Sequence, residues 1–140
     1  MYNSISIIGA GFVGKAIYHA FSPYMKVFIY DKFVKGYNSL EETINGSTFI
    51  FVGVPTPTDL DNGGKQDLSN IEDALESIRK ITNDRKIIII KSTVLPGTTR
   101  KLSEKYHYFD FVFNPEFLTE RTAVLDFLNQ TRIVIGTFNN

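Results

Sequence analysis

The chain has 140 residues and a mass of 15.9 kDa, with fifteen basic and fifteen acidic side chains and no cysteine. This length fits one domain, and the absence of cysteine excludes disulfides, thiolate metal sites and a thiol nucleophile from this chain. Zero net charge argues against a surface that coats nucleic acid, and no apolar run approaches the ~20 residues of a membrane span. The N-terminus lacks the basic region of a signal peptide. We therefore expect a soluble, cytoplasmic protein in which residues 1–140 form one domain, with no second domain in this chain.

Short apolar runs typical of strands alternate with segments of helical periodicity. Strands are predicted at residues 4–8, 26–30, 48–52, 86–90, 108–113 and 131–135, and the isoleucine run at 87–90 predicts burial on both faces. Helices are predicted at residues 12–21, 39–44, 69–81, 98–105 and 115–128. Two of these helices begin with the spacing of a capping box, Ser39 with Glu42 and Ser69 with Glu72.

The alternation of strands and helices decides the fold class. It predicts an α/β protein with a parallel sheet covered on both sides, and right-handed crossovers limit the topology to a doubly wound fold. We expect a six-stranded, mainly parallel sheet with helices on both faces. Residues 55–67, rich in Pro, Gly and Asp, form the one long loop.

A glycine motif lies between the first strand and the first helix. In Gly9-Ala10-Gly11-Phe12-Val13-Gly14, the first glycine permits a tight turn, the second lets a pyrophosphate approach the backbone, and the third lets helix and sheet pack closely. Asp31 ends the second strand 22 residues after Gly9, where a carboxylate can bind the hydroxyls of an adenosine ribose. This pattern predicts a Rossmann-type domain that binds NAD rather than NADP, although the neighbouring Lys32 weakens that preference. The competing interpretation is a packing turn, with Asp31 as a solvated charge.

Three further motifs follow at the carboxyl ends of later predicted strands. They are VPTP at 54–57, KSTVLPGTT at 91–99 and NPEFLTE at 114–120, and RIVIG at 132–136 closes the series. Together with the glycine turn, the chain resembles the N-terminal NAD-binding domain of the UDP-glucose/GDP-mannose dehydrogenase family over essentially its whole length. The ordered motifs are far more specific than a glycine fingerprint alone.

The resemblance implies a nucleotide-sugar 6-dehydrogenase, which oxidises the C6 alcohol of a UDP-sugar to a carboxylate with two NAD. In that family a cysteine captures the intermediate aldehyde, and the resulting thiohemiacetal is oxidised to a thioester that water hydrolyses. The cysteine and the sugar-nucleotide domain lie beyond the part that this chain resembles. The implied partners are therefore NAD and, together with a missing C-terminal domain or partner chain, a UDP-sugar; catalysis by this chain alone is not expected.

The resemblance also assigns site residues. It places Thr93 beside the catalytic water, Glu116 on the substrate side and Glu120 near the nicotinamide, and these three are the predicted catalytic residues. We expect Asn114 to cap the helix that begins at Pro115, so that Glu116 and Glu120 share one helical face. The predicted cofactor-binding residues are Gly9, Gly11, Phe12, Val13, Gly14, Asp31, Lys32, Val54, Pro55, Thr56, Ser92, Thr93 and Glu120.

Structural roles compete with several of these assignments. Residues 54–57 can be a rigid turn, Ser92 and Thr93 an ordinary hydroxyl turn, and Glu116 an acid that complements a helix dipole. The sequence departs from the family in the short 32–47 connection and in Arg121. A stand-alone NAD-binding or regulatory module without catalysis is the alternative function, and VPTP and NPEFL argue against a β-hydroxyacid dehydrogenase. No metal site, nucleic-acid partner or membrane partner is predicted.

Overall fold

The computed structural model describes residues 3–61 and 63–137. Its strands are β1 (Ser4–Ile8), β2 (Lys26–Tyr30), β3 (Phe49–Val52), β4 (Thr58–Asp59), β5 (Lys65–Gln66), β6 (Ile87–Ile90), β7 (Asp110–Phe113) and β8 (Gly136–Thr137). Its helices are α1 (Phe12–Phe21), α2 (Leu40–Asn45), α3 (Ser69–Ile81), α4 (Thr98–Lys105) and α5 (Ala123–Leu128). A 3-10 turn, Glu120–Thr122, precedes α5.

The main sheet has six strands in the order β2-β1-β3-β6-β7-β8. All neighbours pair in parallel except β7 and β8, which are antiparallel. The predicted six-stranded, mainly parallel sheet is therefore confirmed. Because β2 and β3 lie on opposite sides of β1, the winding reverses at β1, and a crevice opens beyond the carboxyl ends of β1 and β3.

Two apolar clusters cover the two faces of the sheet. Alternate residues of β3 divide between them: Ile50 and Val52 join one cluster, while Phe49 and Phe51 pack against the other. The first cluster holds the buried sides of α2, α3 and α4, and the second holds those of α1 and α5. This division confirms helices on both faces. In β6 only Ile88 and Ile90 are fully buried, so the expectation of burial on both faces is only half right.

The two capping boxes have different outcomes. Ser39 Oγ accepts a hydrogen bond from the backbone N–H of Glu42 (3.1 Å), and Glu42 Oε2 accepts one from the N–H of Ser39 (2.8 Å), so the first box is confirmed. The second is wrong, because Ser69 is already helical and makes no side-chain cap. Asp67 Oδ1 instead accepts from the N–H of Ser69 at 2.8 Å. The carboxylate of Asp67, two residues before Ser69, thus accepts the first N–H of α3.

The predicted helix 115–128 is wrong over its first half. Asn114 does not cap a helix at Pro115, because its Oδ1 accepts from Lys91 Nζ at 3.0 Å. Glu116 turns inward to form an ion pair with the same ammonium group. These contacts hold the segment in an irregular path, and helical structure begins only at Glu120–Thr122 and continues in α5. Glu116 and Glu120 therefore do not share a helical face.

The predicted strand 131–135 is also wrong. Residues 131–135 are exposed and irregular, and strand pairing starts at β8, where Gly136 lies opposite Phe113 and Thr137 opposite Val112. Asn114 explains part of this displacement, because its Nδ2 donates to the carbonyl oxygen of Val134 at 2.8 Å. If strand pairing began before Gly136, the carbonyl oxygen of Val134 would be free to accept from a neighbouring strand. Here it accepts from the side chain of Asn114 instead.

Two polar features border the sheet. The long loop carries a small hairpin, in which β4 and β5 pair antiparallel. At the outer edge of β2, Asn38 donates its N–H to the carbonyl of Ile29 (3.0 Å) and accepts from the N–H of Ile29 through Oδ1 (3.1 Å).

None of the helices in residues 3–61 and 63–137 is long and apolar enough to cross a membrane.

Candidate functional site

A cavity of about 690 Å³ opens at the carboxyl edge of the parallel strands. Its size is ordinary for a cofactor site. The segments that follow β1, β2, β3 and β6 converge on it, as does the outer side of α3. Among its lining residues are Gly9, Gly11, Phe12, Val13, Asp31, Lys32, Val54, Pro55, Thr56, Lys91, Ser92, Thr93 and Glu116. The cavity thus brings together nearly all the predicted site residues; Gly14 and Glu120 are not among its lining residues.

Gly9 and Gly14 shape the turn between β1 and α1. Gly9 has a φ of 105°, which favours glycine, and a Cβ there would lie 2.5 Å from the carbonyl oxygen of Gly53. A Cβ at Gly14 would lie 1.9 Å from the carbonyl oxygen of Gly9. This agrees with the predicted packing role of Gly14, because any side chain there would push α1 away from the end of β1.

Gly11 has the opposite environment. A Cβ there would meet no atom within 4 Å, and its φ of −70° suits any residue. Gly11 also precedes α1, whose first intrahelical bond runs from the N–H of Lys15 to the carbonyl of Gly11. The N–H groups before Lys15 have no partner within the helix, so they can bind an anion. Open space beside free donors fits a pyrophosphate.

Alanine substitutions should separate these two glycines. Gly14→Ala is expected to lower the free energy of unfolding by about 1–3 kcal/mol, because its Cβ overlaps the backbone. Gly11→Ala is expected to leave stability nearly unchanged yet weaken NAD binding, because its Cβ projects into open space at the turn. Urea unfolding and calorimetric titration measure the two effects. Equal destabilisation by both variants would contradict this assignment.

Asp31 connects the glycine turn to the segment after β2. Its Oδ2 accepts from the N–H of Ala10 at 2.7 Å, and its Oδ1 accepts from the N–H groups of Phe33 (2.8 Å) and Val34 (3.0 Å). Partial burial acts to raise the pKa of Asp31, but these three hydrogen bonds and the nearby Lys15 outweigh it and lower the pKa below its ordinary value. A carboxylate has about four acceptor positions, so roughly one remains for a ribose hydroxyl.

The positive charge of Lys32, next to Asp31, lies near a carboxylate of α3. Lys32 Nζ lies 3.9 Å from Asp73 Oδ2, and both side chains are largely exposed. Asp73 also lines the cavity. Asp31 and Asp73 together would repel a 2′-phosphate, so the structure offsets the weakening of the NAD preference that Lys32 suggested.

The loops after β3 and β6 are tied together by hydroxyl groups. Thr56 Oγ1 donates to the carbonyl oxygen of Thr93 at 2.6 Å, and Ser92 Oγ donates to that of Val54 at 2.7 Å. Both hydroxyls are therefore used in fixing backbone at the cavity rim. A ligand would therefore meet a rim whose backbone path is fixed by these two hydrogen bonds.

Lys91 and Glu116 form a buried ion pair at the same rim. Lys91 Nζ lies 2.6 Å from Glu116 Oε2, and the two side chains are only 3% and 8% exposed. The other carboxylate oxygen of Glu116 accepts from the N–H of Phe117 at 3.0 Å. One oxygen of Glu116 therefore accepts a hydrogen bond, whereas the other has no hydrogen-bond donor and is paired only electrostatically, with the Lys91 ammonium group. Lys91 was missed as a site residue, although its place next to Ser92 in the KST motif could have suggested it.

Glu120 lies apart from this cluster. It begins the 3-10 turn and is exposed. Its predicted place near the nicotinamide stays a prediction. No group of three or more His, Asp or Glu residues that could hold a metal occurs among the described residues.

Comparison with protein-family models identifies the family of this chain. The model for the UDP-glucose/GDP-mannose dehydrogenase family, NAD binding domain, matches residues 19–140. The chain belongs to this family. It is an NAD-binding domain of this family, and NAD is its cofactor. The match includes Asp31 and the three loop motifs. It begins after the glycine turn, which lines the same cavity in the structure.

Individual relatives agree with the family match. The chain is 36% identical over 107 residues to the UDP-glucose 6-dehydrogenase TuaD of Bacillus subtilis, which covers 71% of this chain and 23% of that protein. It is 37% identical over 120 residues to the UDP-glucose 6-dehydrogenase of Campylobacter jejuni, with 82% and 30% covered. The solved UDP-glucose dehydrogenase of Pyrobaculum islandicum matches 99% of this chain with a TM-score of 0.80 at 27% identity. The chain spans only 41% of that structure, so it corresponds to less than half of such an enzyme.

Proposed function

We propose that this chain supplies the NAD-binding half of a UDP-sugar 6-dehydrogenase that makes a UDP-uronate such as UDP-glucuronate. The overall reaction converts a C6 alcohol, two NAD⁺ and water into a carboxylate, two NADH and three protons. The observation that carries the proposal is the cavity, where the glycine turn, Asp31 and the loops after β3 and β6 meet at one sheet edge. The relatives named as UDP-glucose 6-dehydrogenases support the substrate class.

The polar groups of the cavity give the dinucleotide one direction. The N-terminus of α1 suits the pyrophosphate, and Asp31 suits the adenosine ribose. Ser92, Thr93 and Glu116, at the far rim, would then receive the nicotinamide. A nicotinamide held there would supply the hydride acceptor for the sugar C6. We therefore propose as cofactor contacts the lining residues Gly9, Gly11, Phe12, Val13, Asp31, Lys32, Val54, Pro55, Thr56, Ser92 and Thr93.

The side chains at the nicotinamide end have distinct proposed roles. Thr93 lies exposed at the rim, where its hydroxyl can orient a water molecule. Glu116 forms an ion pair with Lys91 and accepts from the N–H of Phe117, so we propose that its charge orders the rim rather than contacting the substrate. We propose that Glu120 reaches the nicotinamide only when the remainder of the enzyme packs against this end.

The proposed reaction needs groups that this chain does not contain. The chain has no cysteine, so the thiol that carries the aldehyde must come from elsewhere. We propose that residues 1–140 act as one NAD-binding domain, and that a further domain or a partner chain supplies the thiol and the UDP-sugar site. The cytoplasmic location expected from the sequence stays a prediction.

Calorimetric titration with NAD tests the binding step. We expect one NAD site per chain and at least about tenfold weaker binding of NADP, because Asp31 and Asp73 oppose its 2′-phosphate. Absence of binding at millimolar NAD would overturn the proposal.

Complementation in trans tests the reaction. A polypeptide that carries the remaining part of a UDP-glucose 6-dehydrogenase is added to this chain, and NADH formation is followed with UDP-glucose. Two NADH per sugar support the dehydrogenase, and the Gly11→Ala chain serves as the control with impaired cofactor binding. NAD binding without any NADH formation favours the stand-alone NAD-binding or regulatory module.

A further inference from the structure

Gln66 joins the Thr58–Gln66 hairpin to the rim of the cavity. Its Nε2 donates to the carbonyl oxygen of Thr93 at 2.8 Å, and its Oε1 accepts from the N–H of Leu95 at 3.2 Å. One side-chain amide thus pairs with backbone groups of residues two apart, as the N–H and C=O of a single residue do in a parallel neighbouring strand. Nothing in the motifs marked Gln66, because it lies in the long loop outside them.

The carbonyl oxygen of Thr93 receives two hydrogen bonds. Thr56 Oγ1 donates to it from the loop after β3, and Gln66 Nε2 donates to it from the hairpin. A carbonyl oxygen has two lone pairs, so this acceptor is saturated. Two segments that are separate in sequence therefore fix the peptide group that follows Thr93. Thr93 lines the cavity and Gln66 does not, so Gln66 can affect a ligand there only through the Thr93–Leu95 backbone.

The other end of the cavity is held independently of Gln66. The N–H of Gly9 donates to the carbonyl of Tyr30 at 2.9 Å, and the N–H of Ala10 donates to Asp31. Neither bond involves the hairpin. A change at Gln66 should therefore reach the nicotinamide end and leave the adenosine end unaltered.

We propose that Gln66 is a positioning residue, which holds the Thr93–Leu95 backbone in the conformation that receives the nicotinamide. This proposal rests on the proposed function, because the direction of the dinucleotide defines the nicotinamide end. The hairpin is then part of the cofactor site through one amide group. Its contribution is the fixed path of the rim, since Gln66 itself makes no ligand contact.

The test compares NAD with ADP, which lacks the nicotinamide half. In Gln66→Ala the Kd for NAD is expected to rise about three- to tenfold, as the loss of one to two hydrogen bonds predicts, while the Kd for ADP stays within about twofold. Gln66→Glu has the same size but places an oxygen against the carbonyl of Thr93, so its Kd for NAD should rise at least as much. Gln130→Ala, the same change at an exposed residue outside the cavity lining, is the matched control and should alter neither constant.

Hydrogen exchange measures the contact without any ligand. Exchange of the Leu95 N–H should accelerate in Gln66→Ala and stay slow in Gln66→Glu, which keeps the acceptor oxygen. Equal losses of NAD and ADP affinity, or unchanged NAD affinity in both variants, would overturn the positioning role alone. A wild-type chain that binds neither ligand would overturn the proposed function as well, so the two failures are distinguishable.

Discussion

Lys91→Met is expected to lower the free energy of unfolding by about 3–5 kcal/mol, because it leaves the Glu116 carboxylate buried without its counter-charge. The two side chains are 3% and 8% exposed, and their charged atoms lie 2.6 Å apart. Asn114, whose Oδ1 also accepts from Lys91, loses a hydrogen bond at the same time. Urea unfolding of the wild type and the variant measures the difference.

A second substitution distinguishes loss of charge balance from loss of packing. In the double variant Lys91→Met with Glu116→Gln no charge is left buried, and we expect it to recover about half of the lost stability or more. Arg85→Met is the matched control, because the Arg85–Asp110 pair is equally short at 2.6 Å but 64% and 50% exposed. Its effect should be much smaller. A loss in Lys91→Met no larger than in the control would contradict the assignment.

Asp31→Ala is expected to weaken NAD binding about 10- to 100-fold, which corresponds to one charge-assisted hydrogen bond of about 1.5–3 kcal/mol. Only one such bond is expected, because three backbone N–H groups already occupy the carboxylate. The same change leaves the N–H of Ala10 without its acceptor and should lower stability by about 1–3 kcal/mol. Calorimetry and urea unfolding separate the two effects, with Asp84→Ala, an exposed carboxylate outside the cavity lining, as control.

The stabilising effect of Asp31 should depend on pH. Its pKa in the folded protein lies below the ordinary value of 3.8, so folding favours the ionised carboxylate. The contribution is therefore complete above the unfolded-state pKa and is lost as the pH falls through the lower, folded-state pKa. The stability difference between wild type and Asp31→Ala should shrink in acid. A difference that stays constant from neutral pH to strong acid would contradict this account.

The fold was largely predictable because its strands and helices follow simple periodicities. Five of the six predicted main-sheet strands occur, with bounds altered by at most two residues, and the glycine turn lies where the motif predicts. These elements depend on apolar side chains that share one face and on local turn chemistry. Both are visible in a few neighbouring residues.

The two largest errors, the helix 115–128 and the strand 131–135, lie between residues 114 and 135, where contacts distant in sequence decide the structure. Lys91 takes the side-chain oxygen of Asn114 that would have capped a helix, and it draws Glu116 toward the sheet. Asp126 accepts from the N–H of Thr119 and from the hydroxyl of Thr122, which places the start of helical structure later. Three of these four contacts join residues 7 to 25 positions apart, which have no local signature in the sequence. The motifs and the fold predicted most of the residues that line the cavity, whereas the contacts of Lys91 and Gln66 needed three dimensions.

The contact between Asn38 and the edge of β2 has a consequence for how the protein behaves at high concentration. An outer strand with free backbone groups is a template on which another chain can add a strand, and repeated addition leads to aggregates. Asn38 occupies both backbone groups of Ile29, the fourth of the five residues of β2, and the exposed Lys26 adds a charge at the start of the strand. A second molecule would have to break these bonds before it could extend the sheet. The protein thus carries its own protection against edge-to-edge growth on this side, and Asn38→Ala should aggregate faster on heating than the wild type.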